Sequence, residues 1–124
     1  MQPGDAFLYE FPHNGKHLCI VVSTALDESQ KKVLRCVYLT TVRNTGYEDL
    51  TCIFRPGDHP FLRHESYVDY SQILIVYEEF LLEKLSIQFG CTKDPITPKQ
   101  LQKIKEGALR SPAIRKKNQI LFND

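Results

Sequence analysis

Short apolar runs separated by turn residues fill the first two thirds of the chain. Runs rich in β-branched and aromatic residues are typical of strands, and they occur at Ala6 to Phe11, His17 to Thr24, Lys32 to Val42, Asp49 to Phe54 and Tyr67 to Tyr77. Asn14-Gly15 between the first two runs is a strong hairpin signal, and Pro56-Gly57 suits a turn in which glycine takes a positive φ. Five short strands predict a small, strongly curved sheet or barrel.

Helical periodicity replaces this pattern after the fifth strand. The segment EEFLLEKLSIQFG places Phe80 or Leu81, Leu85 and Gln88 at helical spacing and ends at Gly90. The pattern predicts a short helix there.

A second helix is signalled at both its start and its apolar face. In TPKQLQKIKEGALRS, Thr97 is the predicted N-cap, Pro98 occupies the first helical position and Gln100 completes a capping box. The apolar face is formed by Leu101, Ile104 and Ala108 or Leu109. Ser111-Pro112 repeats the start signal, which predicts either a last short helix or an ordered tail.

The length of the chain suits one hydrophobic core. With 124 residues, we expect a single domain over 1–124, with the barrel in about 1–77 and the helical part in about 78–124. No apolar run approaches the roughly 20 residues that a membrane-spanning helix needs. The N-terminal residues lack the basic start and apolar core of a signal peptide. These features predict a soluble, cytoplasmic protein without membrane contact.

The cysteines indicate core packing rather than cross-linking. Cys19, Cys36, Cys52 and Cys91 stand singly, without Cys-x-x-Cys spacing, and three of them lie inside apolar runs, as reduced core thiols do. His59 and His64 have a spacing that a structural zinc site permits, but no cysteine pair accompanies them. The sequence therefore predicts no metal and no cofactor, with zinc as the weaker alternative.

Positive charge is concentrated near the end of the chain. The whole chain has a net charge of only +1, yet the segment from Thr97 to Gln119 contains seven basic residues and one acidic residue, Glu106. Such a segment attracts phosphates or an acidic partner, and it is equally typical of a solvated helix surface.

The N-terminal residues resemble the start of the PemK/MazF toxin family. The segment PGDAFLYEFPHNGKHLCIVVS contains Gly4-Asp5 before the first strand and Cys19 to Ser23, CIVVS, at the end of the second. VLRCVYLTT, Val33 to Thr41, is similar to the third strand of the family, which ends in Thr or Ser. The resemblance covers about the first 42 residues well and the remainder loosely.

The resemblance implies a compact SH3-like barrel that forms a homodimer, cuts single-stranded RNA without metal and is bound by an antitoxin protein. Family members use an Arg at the start of the second strand and a Thr or Ser at the end of the third. His17 occupies the Arg position here, and Leu18 replaces the Pro that follows it. The Thr position falls on Thr40 or Thr41.

Metal-free RNA cleavage requires a base for the 2′-hydroxyl, an acid for the leaving 5′-oxygen and a cation or donors at the phosphate. Histidine serves as base or acid near neutral pH, whereas Arg is restricted to cation and donor roles. His17 is therefore compatible with catalysis if another cation stabilises the phosphate. The candidates for that cation are Lys16, Arg43, Arg55 and Arg63.

The segment GDHPFLRHESYVDY, Gly57 to Tyr70, carries far more side-chain chemistry than a connecting loop needs. His64 is a candidate acid or base, and His59, Ser66 and Tyr67 are candidates for substrate binding. Asp58 and Glu65 are placed to orient the neighbouring imidazoles. In the alternative interpretation Tyr67, Val68 and Tyr70 are core or interface residues and His64 bonds to the backbone. His13, beside the Asn-Gly turn, is expected to be only exposed.

Together these patterns predict a mainly β protein with C-terminal helices that acts as a metal-independent, toxin-like endoribonuclease on single-stranded RNA. The predicted catalytic residues are His17, Thr40, Thr41 and His64. An alternative is an SH3-like barrel that binds nucleic acid or a protein partner without cutting it. A further alternative is an accessory protein whose barrel only dimerises.

Overall fold

A computed structural model of the chain describes residues 1–13, 15–87 and 92–122. The described strands are β1 (Ala6–Phe11), β2 (Gly15–Leu26), β3 (Lys32–Thr41), β4 (Ile53–Phe54), β5 (Ser66–Val68), β6 (Leu74–Tyr77) and β7 (Thr92–Lys93). The helices are α1 (Glu78–Ile87), α2 (Pro98–Arg110) and α3 (Lys116–Gln119), followed by a 3₁₀ turn at Ile120–Phe122. None of the described helices is long and apolar enough to cross a membrane.

The strands form an antiparallel sheet in the order β4-β5-β3-β2-β1-β7. The sixth strand, β6, pairs with β3 outside this path. Two partners share the same edge of β3, because Val33 to Cys36 pair with β6 and Leu39 to Thr41 pair with β5. The predicted mainly β class with short helices is confirmed. Within the described residues the sheet is an open path rather than a closed ring of strands.

Both faces of the central strands are buried, which explains their nearly continuous apolar sequences. On β2, Leu18, Ile20 and Val22 belong to one apolar cluster, whereas Cys19 and Val21 belong to a second cluster on the opposite face. Helix α2 covers the first cluster and α1 covers the second. The register with β3 shifts between Val21 and Ser23, so a bulge bends β2 in the middle of the sheet.

The start of α2 has the geometry that the sequence predicts. The Thr97 hydroxyl accepts from the Gln100 amide at 3.1 Å, and the Gln100 side-chain oxygen accepts from the Thr97 amide at 2.9 Å. Gln100 also donates from Nε2 to the Asp58 carbonyl at 2.7 Å, which ties the helix to the segment between β4 and β5. Of the alternatives on its inner face, Ala108 is buried and Leu109 is exposed.

The prediction of one strand from Tyr67 to Tyr77 is wrong. The chain turns after β5, where Asp69 Oδ1 accepts from the backbone N–H and the hydroxyl of Ser71 at 3.0 and 2.5 Å. This turn directs Tyr70 into the core, where its hydroxyl donates to the Ile104 carbonyl at 2.7 Å. A side chain that bonds its own backbone competes with strand pairing, so two short strands replace one.

Other element bounds differ from the sequence prediction by a few residues. The fourth strand is reduced to Ile53–Phe54, because Asp49 accepts from the Thr51 amide at 3.1 Å in a turn. The strand β7 lies inside the part predicted to be helical, where it pairs with β1. On α1 the buried residues are Leu81 and Leu85. The predicted end of that helix, from Gln88 to Gly90, lies outside the described residues, as does Cys91.

The predicted role of the other three cysteines is confirmed. Cys19, Cys36 and Cys52 are buried and carry free thiols. Burial raises the pKa of the Cys36 thiol to about 12, so it stays protonated and packs as an apolar group.

Candidate active site

Two neighbouring cavities collect the chemically active side chains of the sheet edge and of the Gly57 to Tyr70 segment. Their volumes are about 510 Å³ and 550 Å³, and four residues line both of them: Thr41, Phe61, Leu62 and Ser66. The first cavity contains the predicted site residues Lys16, His17, Thr40, Thr41, Arg43, Ser66 and Tyr67. The second contains His59, Arg63 and His64. Arg55 lines neither cavity and is exposed, with its Nε 3.8 Å from Glu65 Oε2.

His17 is positioned where β2 and β3 separate. The register between these strands is formed as far as Cys19 opposite Tyr38. Beyond that pair, His17 Nδ1 lies 3.0 Å from the Leu39 carbonyl oxygen. A carbonyl oxygen only accepts, so Nδ1 carries the proton and the lone pair of the neutral ring is on Nε2. The backbone thus selects the tautomer that an Nε2 base requires.

Aromatic side chains pack around the His17 ring. The Tyr38 ring lies 4.7 Å from it between centroids, and the Phe11 ring lies 5.7 Å away in an edge-on arrangement. The Tyr38 hydroxyl donates to Asp69 Oδ2 at 3.2 Å. Burial, together with the Asp69 charge, raises the pKa of Tyr38, so this hydroxyl stays protonated and acts as a donor. These contacts hold the imidazole in a defined orientation.

Thr40 has a buried hydroxyl without a hydrogen-bond partner among the described residues. It lies two residues after Tyr38 on β3 and directly opposite Tyr67 on β5, so these three side chains share one face of the sheet. Buried polar groups are nearly always paired, and an exception calls for an explanation. Thr40 also lines the first cavity, next to His17 and Thr41 in its wall.

Positive groups exceed negative groups in the lining of both cavities. Lys16 and Arg43 accompany Asp69 in the first cavity. In the second, the cations are Arg63 and Lys93 and the single carboxylate is that of Asp94. Such linings favour anionic ligands, and phosphates in particular.

Helix α2, which carries part of the basic C-terminal segment, lies on the other face of the sheet from His17 and Thr40. Ile104 packs α2 onto the sheet face of the first apolar cluster, whereas strand alternation places His17 and Thr40 on the opposite face. Lys99 and Lys103 line a separate cavity of about 410 Å³. The attraction of this segment for phosphates or an acidic partner stays a prediction.

His59 is a structural element of the second cavity. It is only 3% exposed, its Nε2 donates to the Asp94 carbonyl at 2.6 Å, and its Nδ1 accepts from the Phe61 amide at 3.0 Å. The group that orients it is therefore the Asp94 carbonyl and not the Asp58 carboxylate expected from the sequence. That carboxylate accepts from the Arg55 amide at 2.7 Å. Since the Phe61 amide uses the Nδ1 lone pair, His59 is not placed to bind zinc together with a second histidine.

The structure separates the remaining residues of this segment by environment. His64 is exposed at the second cavity, and the buried Ser66 hydroxyl donates to its carbonyl at 3.0 Å. Val68 and Tyr70 are core residues, as the structural interpretation predicts, whereas Tyr67 is half-buried and lines the first cavity. His13 is exposed, as expected.

Sequence reasoning missed several residues of the site. Tyr38 precedes Thr40 by two positions, so strand periodicity alone could have placed both on one face. Asp69 and Phe61 lie in the segment from Gly57 to Tyr70 that the sequence analysis selected. Nothing in the sequence indicates that Asp69 contacts Tyr38 or that Phe61 lines both cavities. Lys93 reaches the second cavity through β7, for which the sequence has no signal.

Protein-family models, curated proteins and solved structures were all compared with the chain, and none of them matches it. The chemistry of the two cavities therefore carries the functional inference.

Proposed function

We propose that the chain is a metal-independent endoribonuclease of the PemK/MazF-like toxin type that acts on single-stranded RNA. The observation that carries this proposal is the buried hydroxyl of Thr40, which has no hydrogen-bond partner among the described residues and belongs to the cavity that also contains His17. A fixed imidazole tautomer and an unused hydroxyl, accompanied by the cations Lys16 and Arg43, are the groups that phosphoryl transfer without metal requires.

In the proposed reaction, His17 Nε2 removes the proton from the 2′-hydroxyl. The 2′-oxygen forms a bond to the adjacent phosphorus as the bond from phosphorus to the 5′-oxygen breaks. His64, which lines the neighbouring cavity, gives a proton to the leaving 5′-oxygen. Hydroxyls of Thr40 and Thr41 donate to the phosphate oxygens. The products are a 2′,3′-cyclic phosphate end and a 5′-hydroxyl end.

The SH3-like barrel and the antitoxin partner belong to the same proposal. The bulge at Val22 and the sharing of β3 by two strands support a sheet that bends around a core. A protein that covers the two cavities would inhibit such an enzyme by excluding RNA.

The expected homodimer has a candidate surface on β6 and α1. Ile75, Tyr77 and Phe80 are 56%, 44% and 54% exposed, and Ile75 and Tyr77 belong to a strand whose only partner in the described sheet is β3. An apolar edge strand pairs readily with another copy. Ile75→Lys should convert the dimer to monomer in sedimentation, and an unchanged mass would place the dimer interface elsewhere.

The proposal is tested by incubating the purified protein with labelled single-stranded RNA in excess chelator. We expect cutting, with cyclic phosphate ends identified by mass spectrometry. His17→Ala should lower the rate by about 10²- to 10⁴-fold, as expected for a lost acid or base group, while the protein stays folded at the assay temperature. His17→Arg should recover part of that loss if a cationic role still matters. His13→Ala is the matched control, because this exposed histidine lines neither cavity.

Three outcomes would count against the proposal. Cutting that is lost in chelator and restored by zinc or magnesium would indicate a metal enzyme. Cutting by His17→Ala at the wild-type rate would remove His17 from the chemistry. RNA binding without any cutting would favour the second candidate, a non-catalytic binding module, which gains support from a histidine standing where the resembled family has Arg.

A further inference from the structure

Phe61 forms part of the wall between the two cavities. It lines both of them, and 37% of its surface is exposed. The Lys93 ammonium lies 5.6 Å from the centroid of its ring. An exposed aromatic ring close to a cation is a combination with which proteins bind the bases of single strands.

The surroundings of Phe61 are held in place by the protein itself. The Leu62 amide donates to the His59 carbonyl at 3.0 Å, which closes a turn around Phe61. The His59 ring then joins this turn to the segment after β7 through its bonds to the Phe61 amide and the Asp94 carbonyl. Phe61 and Lys93 therefore come from two chain segments that one buried side chain connects. A ligand finds this wall already formed.

We propose that the second cavity is a nucleobase subsite, in which the base next to the cleaved bond stacks on Phe61 while Lys93 and Arg63 attract its phosphate. This inference rests on the proposed function, because it places the reacting phosphate in the first cavity beside His17 and Thr40. Both cavities lie in the size range of small-ligand sites, at about 510 and 550 Å³. The substrate class is thus a single strand that places one nucleotide on each side of Phe61.

Stacking supplies affinity with little sequence preference, because every base presents a π-face. On the shared wall, the Thr41 hydroxyl is the polar group offered to the sugar-phosphate between the two nucleotides. A mononucleotide fills one cavity only. A dinucleotide or longer strand is therefore expected to bind much more tightly than a mononucleotide.

The test is a double-mutant cycle between protein and ligand. Fluorescence anisotropy measures binding of a short single-stranded 2′-deoxy oligonucleotide, which lacks the attacking hydroxyl and is not cut. An abasic site is placed at each position in turn. At one position it should weaken binding to the wild-type protein by about 5- to 150-fold, the range for one lost base stack. The same abasic site should have little further effect on Phe61→Ala, because stacking is already lost.

Two further variants keep the result interpretable. Phe61→Leu preserves an apolar side chain for the fold but removes the aromatic face, so it should behave like Phe61→Ala in binding and like wild type in thermal melting. Tyr47→Ala is the matched control, since Tyr47 is an exposed aromatic residue of the loop after β3 that lines neither cavity. It should leave affinity and the abasic profile unchanged.

The subsite would be overturned if the losses of binding affinity caused by Phe61→Ala and by the abasic site were additive at every position. Wild-type affinity for Phe61→Leu would overturn it as well. The cleavage assay on RNA is read separately. Cutting without coupling at Phe61 would leave the proposed function intact and reject the subsite. Coupling without cutting would keep the subsite and reject the endoribonuclease.

Discussion

Replacing Thr40 by Val separates stability from function at the proposed site. The Thr40 hydroxyl is buried and has no hydrogen-bond partner among the described residues, so the folded protein has desolvated it without compensation. Valine has the same branched shape and suits a β-strand as well as threonine does. The substitution removes a polar atom from β3 and leaves the packing against Tyr67 largely unchanged.

The expected gain in the free energy of unfolding follows from the cost of burying a polar group that lacks a hydrogen-bond partner. That cost is about 1–3 kcal/mol, and partial relaxation around the site reduces what a substitution recovers. We therefore expect Thr40→Val to raise the free energy of unfolding by about 1 kcal/mol, which corresponds to a melting temperature about 4 °C higher for a domain of this size. If the hydroxyl donates to the phosphate in the transition state, cleavage should fall by about 10²- to 10³-fold.

The assay is thermal and urea unfolding beside the rate of RNA cleavage. Thr24→Val is the control, because Thr24 is also a half-buried threonine of the sheet but lines neither cavity. It should leave the cleavage rate unchanged. A lower melting temperature for Thr40→Val would mean that its hydroxyl has a partner in solution, such as a water. A wild-type cleavage rate would remove Thr40 from the proposed chemistry.

Three further predictions address other parts of the fold. His59→Ala removes both ring hydrogen bonds of a buried side chain and should lower the free energy of unfolding by about 1–3 kcal/mol in urea titration. Since one hydrogen bond contributes about 1 kcal/mol, a loss below about 0.5 kcal/mol would contradict the structural role of His59. Gly107→Ala places a Cβ in steric overlap with the Tyr70 hydroxyl oxygen, so it should lower the melting temperature although alanine favours helix, and Tyr70→Phe should reduce the loss. Asp27 has its pKa lowered from 3.8 to about 2, chiefly by the backbone hydrogen bond from Lys31. Its contribution to stability is therefore complete above about pH 4 and lost as the pH falls towards 2, and Asp27→Asn should flatten the melting temperature over that range; an unchanged slope would refute this.

Apolar patterning predicted the central strands well because burial on both faces leaves a continuous apolar run. The ends of β1 were predicted correctly, and the capping box at Thr97 located the start of α2. The pattern failed between Tyr67 and Tyr77, where an Asp69 side chain bonds the backbone and Tyr70 turns into a core built largely from distant residues. Local propensity holds no information about such contacts.

The candidate site shows the same division. The residue types that phosphoryl transfer needs were identifiable in the sequence, and a resemblance in the first strands pointed to the ends of β2 and β3. What assembles them was not identifiable, because the Leu39 carbonyl that fixes the His17 tautomer and the Asp69 carboxylate that accepts from Tyr38 are contacts across the sheet. Such contacts depend on the register of the strands, because a slip of one residue would move each side chain to the other face of the sheet.

The segment from Gly57 to Tyr70 combines two roles, with buried residues near both of its ends and exposed residues between them. His59 is buried and donates to the carbonyl of Asp94, next to β7, and Tyr70 is buried and donates to the carbonyl of Ile104 in α2. These two bonds fix the segment against the rest of the fold. Phe61 and His64, between them, face the second cavity. Since buried neighbours restrain the exposed residues on both sides, the segment presents its functional groups with little freedom to lose on binding. A loop that only connected strands would need neither set. The many polar and aromatic side chains of this segment thus have two physical reasons, because the buried ones fix the segment and the exposed ones form the proposed site.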